Sequence, residues 1–276
     1  MKIIDWQAYA PGEHRIVCPS CGRSGKDKTL GLTVKSDGGL GHCFRCQYTE
    51  SFKHERGVVR RAPIIQPTQK VTQKHETLSY WGRDLWSMCL PIEGVARDYL
   101  KSRRCVVPPK DSDLRWHHSL KHPSGYIGAG LVARVTDSLS GEARSLHRTW
   151  IQADGTKANV EPPRMLLGNH SLKNACIRLW SDEYVSSGLA IGEGVETCLS
   201  LAHAFEPVWA TLDAGHLADF PVLAGVEVLT ICRDNDLAGI KASEKCAARW
   251  LEAGHIVHIT SQIENDINDI LTEAAL

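Results

Sequence analysis

The sequence predicts an α/β protein: a small amino-terminal β-module held by cysteines, then a larger core whose last third is a parallel α/β sheet. Three observations predict it. Two Cys-x-x-Cys pairs, Cys18 with Cys21 and Cys43 with Cys46, stand 21 residues apart around an alternating strand and a turn signal. From residue 187 onward, short apolar runs alternate with helical stretches, as in successive βαβ units. The charge is also divided along the chain: 13 Lys+Arg against 7 Asp+Glu in residues 1–76, 15 against 9 in 77–180, and 4 against 16 in 181–276, although the formal net charge is zero.

A chain of 276 residues with 42% hydrophobic content can bury a sizeable core in one or two domains. No apolar run approaches the roughly 18–20 residues of a membrane span. The opening MKIIDWQAYAPGEHR carries polar and acidic residues where a secretory leader needs an apolar stretch, so a cytoplasmic protein is expected. A basic front and an acidic rear point to a polyanion partner on one part and cation binding on the other. Of the ten cysteines, Cys89, Cys105, Cys176, Cys198, Cys232 and Cys246 stand singly in apolar surroundings and read as small, reduced core residues.

The four paired cysteines read differently. Two Cys-x-x-Cys turns supply the tetrahedral shell of a structural Zn2+, each pair on the turn of a hairpin. "TLGLTV" alternates as a strand should, and "SDGG" is a turn. His42 beside Cys43 is not needed, since Cys18, Cys21, Cys43 and Cys46 complete the site. So small a ribbon cannot fold on its own burial, and the metal would supply much of its stability. Arg15, Arg23, Lys26, Lys28, Lys35 and Arg45, interleaved with Phe44 and Tyr48, give it the basic and aromatic make-up of a single-strand nucleic-acid surface. "GRSGKDKT" at 22–29 lacks the spacing of a phosphate-binding loop. Residues 56–76, rich in Pro, Gln, Thr and Lys, read as a linker.

In the last third, "SGLAIGEG" is a strand ending at Gly192, "VETCLSLAHAF" a helix, "PVWATLD" a second strand and "VEVLTICRDND" a third. The helix "AGIKASEKCAARWLEAG", the strand "HIVHIT" and a helix opening in "ENDINDILTEAA" complete the pattern. Functional residues in such sheets lie at the carboxyl ends of strands. Glu193 follows the first strand; Asp234 and Asp236 follow the third and, two apart, face the same way. Three like charges at one sheet edge call for a hard divalent cation, Mg2+ or Mn2+, with water and phosphate completing its shell. Gly192, Gly194 and Gly239 are expected to let a phosphate come close.

These residues resemble a known family. "AIGEGVETCLSLA" with Glu193, and the Asp-x-Asp of "ICRDNDLAGIKAS", look like the two motifs of the Toprim domain. That domain is shared by bacterial-type primases, topoisomerases, OLD-type nucleases and RecR-type repair proteins. "ENDINDIL", with Asp266, Asn268 and Asp269, resembles the further Asp/Asn-rich motif of phage and plasmid primases, which makes Asp269 a further candidate metal ligand. "CPSCG…GHCFRC" resembles the zinc ribbon preceding the Toprim unit in those primases. The resemblance covers about residues 15–50 and 187–275.

It implies a zinc-ribbon template-binding domain (1–55), a linker (56–76), a basic primase-like core subdomain (77–180) and a Toprim catalytic domain (181–276). It further implies Mg2+-dependent joining of ribonucleoside triphosphates on a single-stranded DNA template, in phage, plasmid or mobile-element replication. Glu193, Asp234 and Asp236 would be the catalytic and metal-binding residues; in the family the residue matching Glu193 is assigned either to metal binding or to acid/base work. Arg134, Arg148, Lys157 and Arg164, with Lys241 behind the Asp-x-Asp, are candidates for nucleotide or template contacts, since Arg pairs bidentately with phosphate. No helicase segment follows, so a separate replicative helicase is the expected partner. A non-catalytic RecR-like DNA-binding protein and a Toprim nuclease are the alternatives. The order ribbon, basic middle, Toprim favours the primase. A topoisomerase is excluded by size and by tyrosines that all precede the proposed metal site.

Overall fold

The computed structural model describes residues 4–22, 27–53 and 74–260. They fall into two compact units, Met1–Lys70 and Val71–Leu276. Arg23, Lys26, most of the expected linker and the "ENDINDIL" segment with Asp269 lie outside the described residues.

The first unit is an antiparallel meander of β1 (Gly12–Ile16), β2 (Leu30–Lys35), β3 (Gly38–Cys43) and β4 (Thr49–Lys53), in that order. The alternation in β2 buries Leu30, Leu32 and Val34 against Ile4 and Trp6 and turns Gly31, Thr33 and Lys35 outward. The expected turn is a two-residue hairpin, with Lys35 opposite Gly38. A Cβ at Gly38 would stand 2.4 Å from the Phe52 carbonyl oxygen, so the close strand approach there needs glycine.

The second unit opens with α1 (Tyr80–Ser87) and α2 (Gly94–Ser102). An antiparallel set follows: β5 (Leu114–Lys121), β6 (Ile127–Asp137), β7 (Ala143–Trp150), β8 (Arg164–Leu166) and β9 (Ala175–Arg178). Then come β10 (Gly188–Gly192), α3 (Val195–Leu201), β11 (Val208–Ala210), α4 (Ala214–Asp219), β12 (Val228–Cys232), α5 (Leu237–Glu252) and β13 (Ile256–Ile259). All nine strands form one sheet in the order β13-β12-β10-β11-β9-β6-β7-β8, with β5 also on β6. The strands from β10 to β13 are mutually parallel, as the sequence predicts. β9 is antiparallel to both β11 and β6 and makes the sheet continuous across residue 180.

Two layers of helices cover this sheet. On one face α2 and α3 share a core with Leu131, Ala133 and Val135 of β6 and Ala190 of β10. On the other, Leu78, Leu85 and Trp86 of the α1 region cover Val132, Leu146 and Trp150, and α4 and α5 cover Leu189, Ile191 and Leu229. The helix after β10 is shorter than the pattern implies, ending at Leu201 where "VETCLSLAHAF" runs on to Phe205. α4 is not announced by the sequence; Asp213 caps it by accepting from the His216 backbone N–H at 2.9 Å.

α5 shows how the sequence builds an element. Gly239, Ala242, Ser243, Cys246, Ala247 and Trp250 form its buried stripe at helical spacing, and Asp236 caps the start by accepting from the Gly239 N–H at 2.8 Å. At its end Gly254 sits at φ 88° while Gly254 N–H reaches the Leu251 carbonyl and His255 N–H the Trp250 carbonyl, the paired bonds of a Schellman stop. Trp250 is fully buried and stacks on Phe220 with ring centroids 6.3 Å apart. Trp250→Ala should cost about 3–5 kcal/mol, read as a fall in the urea midpoint of the second unit's transition; a change near zero would contradict this packing.

Candidate active site and metal centre

The four cysteines of the ribbon converge. Their Sγ atoms all lie within 4.8 Å of one another, with Cys18 to Cys46 at 3.7 Å and Cys21 to Cys43 at 3.6 Å. A tetrahedral zinc with Zn–S bonds of about 2.3 Å spaces its sulfurs about 3.8 Å apart, so donor chemistry and spacing both fit that ion. Each pair sits on a tight turn closed by Gly22 N–H to the Cys18 carbonyl and Gln47 N–H to the Cys43 carbonyl. At Cys43, burial works to raise the thiol, but the Cys46 and Arg45 backbone N–H groups and the Thr29 hydroxyl outweigh it and lower it to about 6. Beside this cluster, Arg15 stacks over exposed Phe44 at 4.4 Å and His42 meets the same ring edge-on. With outward-facing Leu40 they line an open cavity of about 400 Å³. Metal analysis of the purified protein is expected to find one zinc per chain; Cys18→Ser should lose it and release Trp6 fluorescence to the unfolded value. Retention of the folded spectrum without metal would contradict a zinc-dependent ribbon.

The second constellation follows from strand register. Gly192 of β10 pairs with Cys232 of β12, so Glu193 and Asp234, one and two residues further, emerge side by side. The helix after β10 lies on one face of the sheet and the helix after β12 on the other, and the connections run in opposite directions. The gap between β10 and β12 is therefore a topological switch point, where α/β sheets bind ligands. Glu193 and Asp234 are both half-buried. Glu193 Oε1 is closed off from solvent and meets no hydrogen-bond partner among the described residues. Burial first, then the charges of Asp234, Asp236 and Asp213, push Glu193 up to about 8. A group of carboxylates that holds one of its members protonated is a site that a divalent cation would relieve, and the donor set fits Mg2+ or Mn2+.

Several details depart from the sequence reading. Asp236 is exposed and its carboxylate is engaged as the α5 cap. The acidic side chains are not gathered as tightly as the thiols: among the described residues only the cysteines bring three or more ligand atoms within 4.8 Å of one another. Two of the three glycines expected to admit phosphate, Gly192 and Gly239, serve internal packing instead. A Cβ at Gly239 would lie 2.5 Å from the Asp234 carbonyl oxygen, and one at Gly192 would lie 3.0 Å from Cys198 Sγ. Asp213, at the end of "PVWATLD", is a fourth carboxylate on the edge. The rule of strand carboxyl ends would have found it, and its Oδ1 is taken up by His216 Nδ1 at 2.8 Å.

The basic candidates divide between the two faces of the sheet. Arg148 lies opposite Val132 and Met165, on the α1 face, where it is buried between the Trp81 and Trp150 rings. Arg134 shares that face, paired to Asp113 at 2.5 Å and lying over Trp86. Arg164 lies opposite Thr149 on the other face and lines a narrow cleft of about 20 Å³ together with His147, Glu193 and Glu196. Lys157 reaches the same neighbourhood, 3.5 Å from Glu196. Lys241 points to solvent on α5. The structure thus brings Arg164 to the cleft beside Glu193 and Lys157 to Glu196 on that same side, and keeps Arg134 and Arg148 on the opposite face. Glu196, Tyr99 and His147 are site neighbours that sequence reasoning missed. Glu196 had a signal, an acid one turn after Glu193 in an otherwise uncharged helix.

Residues 188–275 match the family model described as Toprim domain, and residues 76–179 match one described as Domain of unknown function (DUF7146). The carboxyl-terminal part of the chain is a Toprim domain, preceded by a four-cysteine β-ribbon as the motifs predict. Among solved structures, the chain is similar to the primase fragment of the bacteriophage T7 primase-helicase protein, at 17% identity over 95% of both chains with a TM-score of 0.43. It is also similar to the zinc-binding and RNA polymerase domains of the Aquifex aeolicus primase, at 14% identity over 98% of this chain and 80% of that one, TM-score 0.47. A DNA primase domain from Pseudomonas aeruginosa is a third, at 16% identity over 72% and 60%, TM-score 0.38. No curated protein matches the chain. Among the described residues no helix is long and apolar enough to cross a membrane.

The raised Glu193 has a measurable consequence. The folded protein keeps this proton up to about pH 8, whereas an unfolded glutamate releases it near 4.5. Stability from this group is present below the lower value and lost as pH rises through the upper one. Glu193→Gln should therefore melt above the wild type in metal-free buffer by a margin that grows between pH 4.5 and 8 and shrinks on adding Mg2+. A margin independent of pH would show that neither burial nor the neighbouring carboxylates raise Glu193.

Proposed function

We propose that this chain is a DNA primase that joins ribonucleoside triphosphates on single-stranded DNA. The observation that carries the proposal is the convergence, at the switch point of a Toprim domain, of Glu193, Asp234 and Asp236, with Arg164 lining the cleft that Glu193 and Glu196 share and Lys157 held at Glu196. Carboxylates alone would serve many metal-dependent reactions. Carboxylates opposite a phosphate-binding pair of cations fit a triphosphate substrate.

In the reaction, the 3′-hydroxyl of one nucleotide attacks the α-phosphorus of the next, the P–O bond to the β-phosphate breaks, and pyrophosphate leaves. A divalent cation held by Asp234 and Asp236, with Glu193 and Asp269 as further candidate ligands, would reduce the triphosphate's charge and align the attacking oxygen. Lys157 and Arg164 would hold the phosphates. Arg134 and Arg148, on the opposite face of the sheet, are taken up by Asp113 and by the Trp81 and Trp150 rings and have no part in this reading, and Lys241 stands apart from both. The ribbon face with Arg15, Phe44, His42 and Leu40 has the stacking surface and charge to receive template bases. The reading is of a cytoplasmic primase of a phage, plasmid or mobile element that works beside a separate helicase.

The test is synthesis itself: purified protein with single-stranded DNA, labelled nucleoside triphosphates and Mg2+, resolved on a denaturing gel, beside Asp234→Asn. Short oligonucleotides from the wild type, reduced at least a hundredfold in the variant with template binding retained, are expected. Binding without products would replace this reading by a RecR-like binder, and shortened template would replace it by a nuclease.

A further inference from the structure

Glu196 is a residue for which the proposed reaction has no direct use. It lies in the first turn of α3, whose seven residues are all buried, and is itself 6% exposed. A carboxylate in such a place is costly unless its charge is met. It is met from outside its own helix. Tyr99 of α2, fully buried, donates its hydroxyl to Glu196 Oε1 at 3.0 Å, and the Lys157 ammonium stands 3.5 Å from the same oxygen. Burial would raise Glu196, but Lys157, Arg164 and the Tyr99 hydrogen bond outweigh it and lower it to about 2, so it is charged at any working pH.

Around that single charge stand three cations. Lys157 feels both Arg164 and Arg103 as repelling neighbours, and Arg103 lies over the Tyr99 ring at 5.9 Å. Arg164 lines the same cleft as Glu193 and Glu196. Lys157 comes from the turn between β7 and β8, a place from which a lysine ordinarily extends into water. Burial and these neighbours together lower the proton affinity of Lys157, and Glu196 is the attraction that opposes them.

We propose that Glu196 is a positioning residue, resting on the primase reading: it holds Lys157 beside Arg164 at the mouth of the carboxylate site, so that a nucleoside triphosphate meets both cations already aimed. Two effects of the carboxylate oppose each other. As a fixed negative charge it weakens the attraction for phosphate; as an anchor it saves the ordering of a flexible lysine on binding. Positioning is the claim that the second effect wins, which gives the test its sign.

The experiment measures primer synthesis against nucleoside triphosphate concentration, and binding of a fluorescent ATP analogue with Mg2+, for wild type, Glu196→Gln, Lys157→Gln and the double variant. Expected are a rise in KM and in analogue Kd of about tenfold in each single variant, kcat within about threefold of wild type, and a double variant no worse than Lys157→Gln alone. Lys157 is only half-buried, so Lys157→Gln folds even if Glu196→Gln does not. KM unchanged or lowered in Glu196→Gln, additive losses in the double variant, or unchanged KM in Lys157→Gln would each overturn the positioning role while leaving the primase reading intact. A wild type that neither binds the analogue nor makes products would overturn both.

Discussion

The pairing of Gly192 with Cys232 is the constraint on which the site depends. It fixes β10 and β12 in parallel register, and with it the emergence of Glu193 beside Asp234. Everything around this pair accommodates the like charges it creates. Gly239 leaves room for the Asp234 carbonyl, Asp236 is drawn into the α5 cap, and Asp213 is taken up by His216. Glu193, whose proton affinity burial and these charges raise, is left to bear the strain. Stability given up at one point of a fold is the usual companion of a site built to bind charge.

The parallel part of the fold was legible because its strands are buried on both faces. "GLAIG" and "VLTIC" are unbroken apolar runs, and the helix between β12 and β13 repeats its small and apolar residues at a helical period. The ribbon was legible for a different reason, since metal ligands declare themselves by spacing. β9 was not legible: "ACIR" is four residues long, carries an arginine, and becomes a strand because β6 and β11 offer it bonding edges on both sides. β5 was hidden by "RWHHS", a polar stretch that reads as loop until β6 supplies the partner.

The site divides along the same line. Positions at strand ends can be read from one dimension, and so Glu193 and Asp234 could be named. Which basic residues face them could not, because Arg148 and Arg164 fall on opposite faces only once β7 and β8 are in register. The partnership of Glu196 with Lys157 and Tyr99 spans residues 39 and 97 apart in the chain and leaves no local trace. Arg134 looked like a free cation until Asp113, one strand away, claimed it.

Through β9 the half of the sheet that bears the carboxylates and the half that bears Arg164 are bonded into one surface. A clamshell opening between them would break backbone pairing in the middle of a sheet, where no water stands ready to replace it. Hinge motion within this unit is thereby closed off as a means of admitting a ligand. The connection between β7 and β8 that carries Lys157 is tied to the same plate, by Ala158 N–H to the Trp150 carbonyl and by the bridge between Ile151 and Lys157. A ligand must then fit the spacing that this one surface already fixes, and selectivity rests on that fit.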